Sequence, residues 1–526
     1  MTLAALLLSQ APADEPGELS ADVATLTERA NAGDIEAMVE LGVAYSWGKS
    51  VEIDDAESLK WFRAAAELGN ARAQNELARC YLYGVGAPRN DREAFRWFRA
   101  SAEQGCTEAQ YSLGKCYTEG WAVKADSAAA FAWYSKAAEQ GHTRAINALG
   151  VCYQLGRGVE KDPVRAVELY SKAAEDGYAE AMYNLGICHR LGEGVLPSAE
   201  KAFEWYRKAA EAGMPGAMVE LAAALYKGEG VEENPDEATE WVRRAAELGN
   251  ANAQCFLGEK YMCGDGVEQN DAVAAGWFLR AAERGHARAQ LTIAICYDSG
   301  TGVPSDVSKA AEWYRAAAEQ GVPEAQYYMG QFYELGRSFA KDEDEALRWY
   351  RAAAEQGMPD AQYSLGKLYQ KREDFFAAVQ LYRAAADQDF AAAQTALGLC
   401  LSEGRGVEKN LEEAVEWYRA AAEKGDAYGQ FCLAWALEHG KGVEKDEAEA
   451  AKWYRAAAEG GVEKKEMSEW SWRRILALCA FIACMLYLLI PALVRRSRRP
   501  AADAADAADA ADGADGADGA DGKTDR

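Results

Sequence analysis

Hydrophobic positions fall into short helical stripes that break at glycine. In residues 141–176, Ala145, Leu149, Cys152 and Tyr153 recur at i, i+4, i+7 and i+8, the spacing of one helix face. This predicts a helix from Thr143 to Leu155. Gly156 ends it, and Gly158 supplies a second permissive turn position. Asp162 at the N-cap and Pro163 at the first helical position then open a second helix. That helix turns Ala166, Leu169, Tyr170, Ala173 and Ala174 inward, and Gly177 closes it. The same start signal, with an acid three residues on, stands at Asn90/Glu93, Asn234/Glu237, Asp342/Glu345, Asn410/Glu413 and Asp446/Glu449.

The pattern repeats. Its leading glycine stands at Gly33, Gly69, Gly105, Gly141, Gly177, Gly213, Gly249, Gly285, Gly321 and Gly357, each 36 residues after the last. Asp389 takes the next place, followed by Gly425 and Gly461. Twelve units therefore span residues 33–460. A tryptophan column runs through them, including Trp61, Trp97, Trp133, Trp205 and Trp349, and these five are each followed by Phe or Tyr. A two-helix unit cannot bury its faces alone, so the units must stack. The expected fold is all-α: an α-solenoid of about twelve helix-turn-helix repeats in a right-handed superhelix, plus one C-terminal transmembrane helix. The Trp-aromatic pair is expected to fill the gap towards the neighbouring unit. Residues 19–32 read as an N-terminal capping helix, and residues 1–18 as a signal-peptide remnant and linker. The tenth unit lacks the Gly-x-Gly-Val loop and reads Tyr369-Gln-Lys-Arg-Glu-Asp-Phe-Phe376, which predicts a tighter turn.

The Gly150 column, Tyr153, the Gly156-x-Gly158-Val159 loop, Asp162, Ala166 and Ala173-Ala174-Glu175 together resemble the Sel-one-like repeat (SLR) family. Its members are related to tetratricopeptide repeats and have a longer loop between the helices. The resemblance covers residues 33–460. It implies a scaffold for proteins or peptides and no particular reaction. Some cysteine-rich SLR proteins pair two Cys within each repeat. That spacing is missing here, so their β-lactam-related activity is not carried over.

Charge and composition narrow the function. Asp and Glu outnumber Lys and Arg by 84 to 57, a net −27. A phosphate binder needs a basic footprint, so no nucleic-acid partner is expected. The four histidines, His142, His189, His286 and His439, occupy different repeats, and no nucleophile elbow, P-loop or zinc-protease motif is present. The chain is read as a non-enzyme with no catalytic residue, cofactor, metal site or small-molecule substrate; the alternatives to a scaffold are a hydrolase acting on cell-wall or β-lactam compounds and a purely structural spacer. Cys80, Cys116, Cys152, Cys188, Cys296 and Cys400 share one column on the packed side of the first helix. Equivalent positions in stacked units lie roughly 10 Å apart, too far for a disulfide.

Columns that vary between copies on the first helix are candidates for a partner-facing groove. They give Tyr111, Lys115 and Thr118; Asn147 and Gln154; Tyr183 and Arg190; Tyr327, Gln331 and Glu334; and Tyr363, Lys367 and Gln370. Tyrosines beside mixed polar groups suit peptide binding. The residues expected to touch a partner are Tyr111, Lys115, Tyr183, Arg190, Tyr327, Gln331, Tyr363 and Lys367. Arginines after the Trp-aromatic pair, such as Arg63, Arg207 and Arg315, and Arg383 in the same column after Leu381-Tyr382, are expected to form i, i+4 surface pairs, as Arg315 would with Glu319.

Residues 475–494 carry no charge and match the ~20 residues needed to span a bilayer. With their arginine flanks they define a transmembrane helix over 473–496, after a juxtamembrane segment at 461–472. Residues 497–526 form an acidic Ala/Asp/Gly tail expected to be disordered, in which, from Pro500 onwards, eight Asp are set against Lys523 and Arg526. Four arginines directly after the span outnumber the two directly before it, which predicts a cytoplasmic tail and repeats outside, in a periplasm or lumen. An Ala-x-Ala site at 11–13 fits export.

Overall fold

The computed structural model describes residues 19–462. The signal-like segment, the apolar segment 475–494 and the acidic tail lie outside the described residues. Among those described there are twenty-five helices and no strand. None of these helices is long and apolar enough to cross a membrane.

The helices follow their local signals. Thr143–Leu155 ends at Gly156 in the left-handed conformation, φ 69°. The Asp162 side chain accepts from the Arg165 backbone N–H, and Pro163–Glu175 follows. The lone helix Val23–Asn31 buries Leu26 and Ala30. In the tenth unit, Pro359–Lys371 and Phe375–Ala386 are joined by Arg372, Glu373 and Asp374 alone. Glu373 supplies the left-handed residue there, at φ 64°.

The chain divides into two units, Met1–Ala245 and Ala246–Arg526. In both, the two helices of a repeat meet ring on glycine. A Cβ on Gly150 would lie 2.5 Å from Tyr170 Cε1. Gly114 meets Tyr134 and Gly186 meets Tyr206 in the same way, as do Gly330 with Tyr350 and Gly366 with Tyr382 in the second unit. Burying such a ring contributes about 2–3 kcal/mol. This corrects the expectation for the Trp-aromatic pair. The second aromatic lies on its own repeat's first helix, against glycine at these positions and beside alanine where Ala78 and Ala294 take the same column. Several tryptophans lie partly exposed under a cation of their own helix, with Lys136 Nζ 3.8 Å from the Trp133 ring and Lys208 Nζ 4.1 Å from that of Trp205, whereas Trp61, Trp241 and Trp349 are buried.

Neighbouring repeats are joined through the loop. Gly158 has φ 74°, and a Cβ there would stand 2.1 Å from the Ser127 carbonyl oxygen, at the start of the preceding repeat's second helix. The loop therefore rests directly on backbone.

Candidate protein-interaction surface

The first helices carry the variable columns, and much of their polarity is used inside the repeat. The hydroxyl of Tyr170 donates to Gln154 Oε1 at 2.7 Å. Tyr350 donates to Glu334 Oε2 at 2.7 Å and Tyr382 to Gln370 Oε1 at 2.6 Å. Arg190 Nε donates to the Tyr206 hydroxyl at 3.2 Å, and Thr118 Oγ1 lies 3.0 Å from that of Tyr134. These variable residues thus satisfy a phenol held against the glycine column.

The expected partner residues meet in pairs. Tyr183 lies against Tyr206, centroids 5.8 Å apart, on which Arg190 also converges. Tyr327 is only 5 % exposed, its ring packed against Tyr328 and Tyr350, and Gln331 Nε2 donates to its hydroxyl at 2.8 Å. Lys367 Nζ stands 5.5 Å from the Tyr363 ring, which also touches Phe390.

Tyr111 and Lys115 share a pocket of about 100 Å³ between the first helices Ala71–Tyr83, Thr107–Glu119 and Thr143–Leu155. Its walls include Asn75, Arg79, Trp121 and Arg144, which sequence reasoning missed because they come from three repeats. Arg79 is paired with Glu76 at 3.1 Å. Glu108 lies 3.2 Å from His142 Nε2, and the His142 ring stacks on Tyr111 at 4.8 Å. Lys115 Nζ is 5.5 Å from the Trp121 ring, and burial draws its pKa below the ordinary lysine value. No hydrogen bond or ion pair of this ammonium is found among the described residues. Asn75 is 4 % exposed; its Nδ2 donates to Glu76, and its Oδ1 has no partner.

The arginine column corrects another expectation. Arg315 does not pair with Glu319; it donates to the Tyr333 hydroxyl of the next repeat at 3.1 Å. Arg63 reaches Tyr81 and Arg351 reaches Tyr369 in the same way. Arg207, Arg383 and Arg419 pair with Glu237, Glu413 and Glu449, again one repeat on. Arg99 keeps the i, i+4 geometry with Glu103 at 2.8 Å. The longer partners win because they hold each guanidinium across an interface that is already packed.

A buried glutamine column was also missed. Gln326 Nε2 donates to the Ala318 carbonyl of the preceding repeat at 3.2 Å, and its Oε1 accepts from Gln356 Nε2 at 2.8 Å. Gln74 with Gln104, Gln110 with Gln140, and Gln290 with Gln320 repeat the arrangement. Gln254 and Gln394 have an unpartnered Oε1. At the positions equivalent to Gln356 stand Arg284 and Lys424, which bond to Arg280 and Asp389 instead.

Twelve consecutive matches to the Sel1 repeat cover residues 35–70, 71–106, 107–142, 143–178, 179–214, 215–250, 251–286, 287–322, 323–358, 359–390, 391–426 and 427–462. The chain belongs to the Sel1 repeat family. Proteins of this family are generally interaction scaffolds. Among solved structures, the chain is similar to a protective antigen of uropathogenic Escherichia coli that displays an SLR fold. The two are 33% identical over 84% of this chain and 98% of the other, with a TM-score of 0.59. A Sel1 repeat protein from Oxalobacter formigenes is also 33% identical, over 43% of this chain and 97% of its own, with a TM-score of 0.39. No curated protein matches the chain.

The remaining reactive side chains serve the Sel1 framework. His142 and His286 stand at N-caps, where Nδ1 accepts from the Ala145 and Ala289 backbone N–H groups, each at 3.1 Å. The six column cysteines are buried and unbridged. Burial pushes Cys80 and Cys116 up to about 12, so at neutral pH they act as small hydrophobes.

Proposed function

We propose that this Sel1 repeat protein is a membrane-anchored scaffold. It holds peptide segments of protein partners on the inner columns of its first helices, with Tyr111, Lys115, Tyr183, Arg190, Gln331, Tyr363 and Lys367 as contacts and Tyr327 orienting Gln331. The observation that carries this reading is the pocket around Tyr111 and Lys115. There, among the described residues, Lys115 has no hydrogen bond or ion pair and a buried asparagine oxygen has no donor. The family's general role as a protein-interaction scaffold supports it. Anchoring is supported by the uncharged stretch 475–494 between arginines. The greater number of arginines after the stretch favours repeats outside and a cytoplasmic tail.

Two measurements in intact cells test this. Protease added to the cytoplasmic side should remove the 497–526 tail and spare the repeats. Proximity labelling from the repeats should enrich a defined set of proteins. A freely extractable protein would refute the anchor, and a label distributed like that of an unrelated control would refute the scaffold.

A further inference from the structure

The pocket formed by repeats 71–106, 107–142 and 143–178 has an unusual balance of groups. Its carboxylates are engaged: Glu76 holds Arg79, and Glu108 faces His142. Lys115 stands beside the Trp121 ring and within the field of Glu119 and Arg144, but no carboxylate among the described residues makes an ion pair with it. Taking an ammonium out of water without a bonded partner is unfavourable, so an arriving anion gains a charge-assisted hydrogen bond at little further desolvation cost. The second observation is independent. Asn75 Oδ1 is buried without a donor, on the same wall. A buried acceptor left open is unfavourable, and a ligand N–H would satisfy it. Tyr111 and Trp121 add flat apolar walls. A free inorganic anion would use Lys115 and leave both the Asn75 oxygen and the aromatic walls idle. A polypeptide uses all three.

We propose that this pocket takes an acidic side chain of an extended peptide segment, its carboxylate on Lys115 and a main-chain N–H of the same segment on Asn75 Oδ1. The segment lies across Tyr111 and Trp121. This rests on the scaffold reading above and names the chemistry its partner must carry there.

The test uses the full chain in nanodiscs and two pools of capped, fluorescein-labelled octapeptides, identical except that one fixed position is Glu in one pool and Gln in the other. Fluorescence polarisation should show the Glu pool binding about tenfold tighter, the worth of one charge-assisted hydrogen bond. Lys115→Gln should erase the preference and Lys115→Arg should restore most of it. Asn75→Leu should weaken both pools with little change in melting temperature, because removing the unpaired buried oxygen offsets the loss of the Nδ2 bond to Glu76. Equal binding of the two pools, a preference that survives Lys115→Gln, or no binding of either pool would overturn the proposal. In those cases proximity labelling still decides the scaffold reading: enriched partners would leave it standing with the contact elsewhere.

Discussion

The Tyr170 hydroxyl donates to Gln154 Oε1 at 2.7 Å, while Gln154 Nε2 donates to Glu193 Oε2 of the next repeat, also at 2.7 Å. One amide thus satisfies a phenol inside its repeat and a carboxylate outside it. Where the ring is phenylalanine, the residue sixteen positions earlier can be apolar: Leu82 precedes Phe98, and Met262 precedes Phe278. In these two copies the hydroxyl and its acceptor are lost together.

Tyr170→Phe should therefore cost about 1 kcal/mol, by removing one net hydrogen bond and leaving Gln154 Oε1 without its donor. Gln154→Leu should cost more, since it strands a buried hydroxyl. The double variant Tyr170→Phe/Gln154→Leu, which recreates the Phe98–Leu82 arrangement, should be less destabilised than the sum of the two. Hydrogen exchange in the helix Thr143–Leu155 measures this, and strict additivity would rule the coupling out.

The glutamine column gives a graded series. Gln326→Ala removes the donor to Ala318 and the acceptor of Gln356, and should lower stability by about 1–3 kcal/mol. Gln326→Met should cost less, because Ile146, Met182 and Met218 fill the same column in other repeats. Urea unfolding followed by circular dichroism would rank the two.

His286 makes stability depend on pH. Burial, followed by the charge of Arg288, holds its pKa below 6.5. Between its lowered folded pKa and 6.5, the unfolded chain binds the proton and the folded chain does not. Stability should thus fall as pH drops below 6.5 and level off once the folded histidine also protonates. His286→Asn keeps a cap acceptor without titrating. It should match the parent at pH 7.5 and melt higher at pH 5. Thermal melts at the two pH values decide this, and parallel losses in both proteins would discount the histidine.

The loop position behaves in opposite ways in two repeats. Gly158→Ala drives a Cβ towards the Ser127 carbonyl at φ 74°, and should destabilise by about 1–3 kcal/mol. Ala122 already occupies the equivalent place at φ 59°. Ala122→Gly should relieve that strain and stabilise by up to about 1 kcal/mol after the entropy of the added glycine is counted. Differential scanning calorimetry should show shifts of opposite sign.

Thiol reactivity should follow burial. At pH 8 a thiol with a pKa of about 12 is ionised to roughly one part in 10⁴, so Cys80 and Cys116 should resist alkylation until the protein unfolds. The exposed Cys263 should react first. Peptide mapping after brief iodoacetamide treatment distinguishes them.

The helices and their ends were legible in the sequence because their causes are local: Asp162 and Gly156 act on residues within one turn. The shared glycine column was visible, but its partner was not, since the Gly150–Tyr170 contact depends on how close two helices come. The arginine column misled for a related reason. Arg315 and Glu319 are spaced for a helix pair, while the preferred Tyr333 becomes a neighbour only once repeats stack. Periodicity held a usable signal there, because Arg63, Arg315 and Arg351 each precede a tyrosine by eighteen residues. The pocket was half legible. Tyr111 and Lys115 stood out as variable positions, whereas Asn75, Trp121 and Arg144 join them only through stacking.

The resting of a Gly-x-Gly loop on the second helix before it, as at Gly86, Gly158 and Gly302, has an evolutionary consequence. Because that contact is made to main-chain atoms, it asks little of the side chains on the earlier repeat. Unequal crossing-over that deletes or duplicates one 36-residue segment would rejoin loop to carbonyl in register. It would also carry each phenol and its acceptor along together, so repeat number could change by whole steps. The glutamine and arginine links, which reach into the following copy, would then decide which junctions survive.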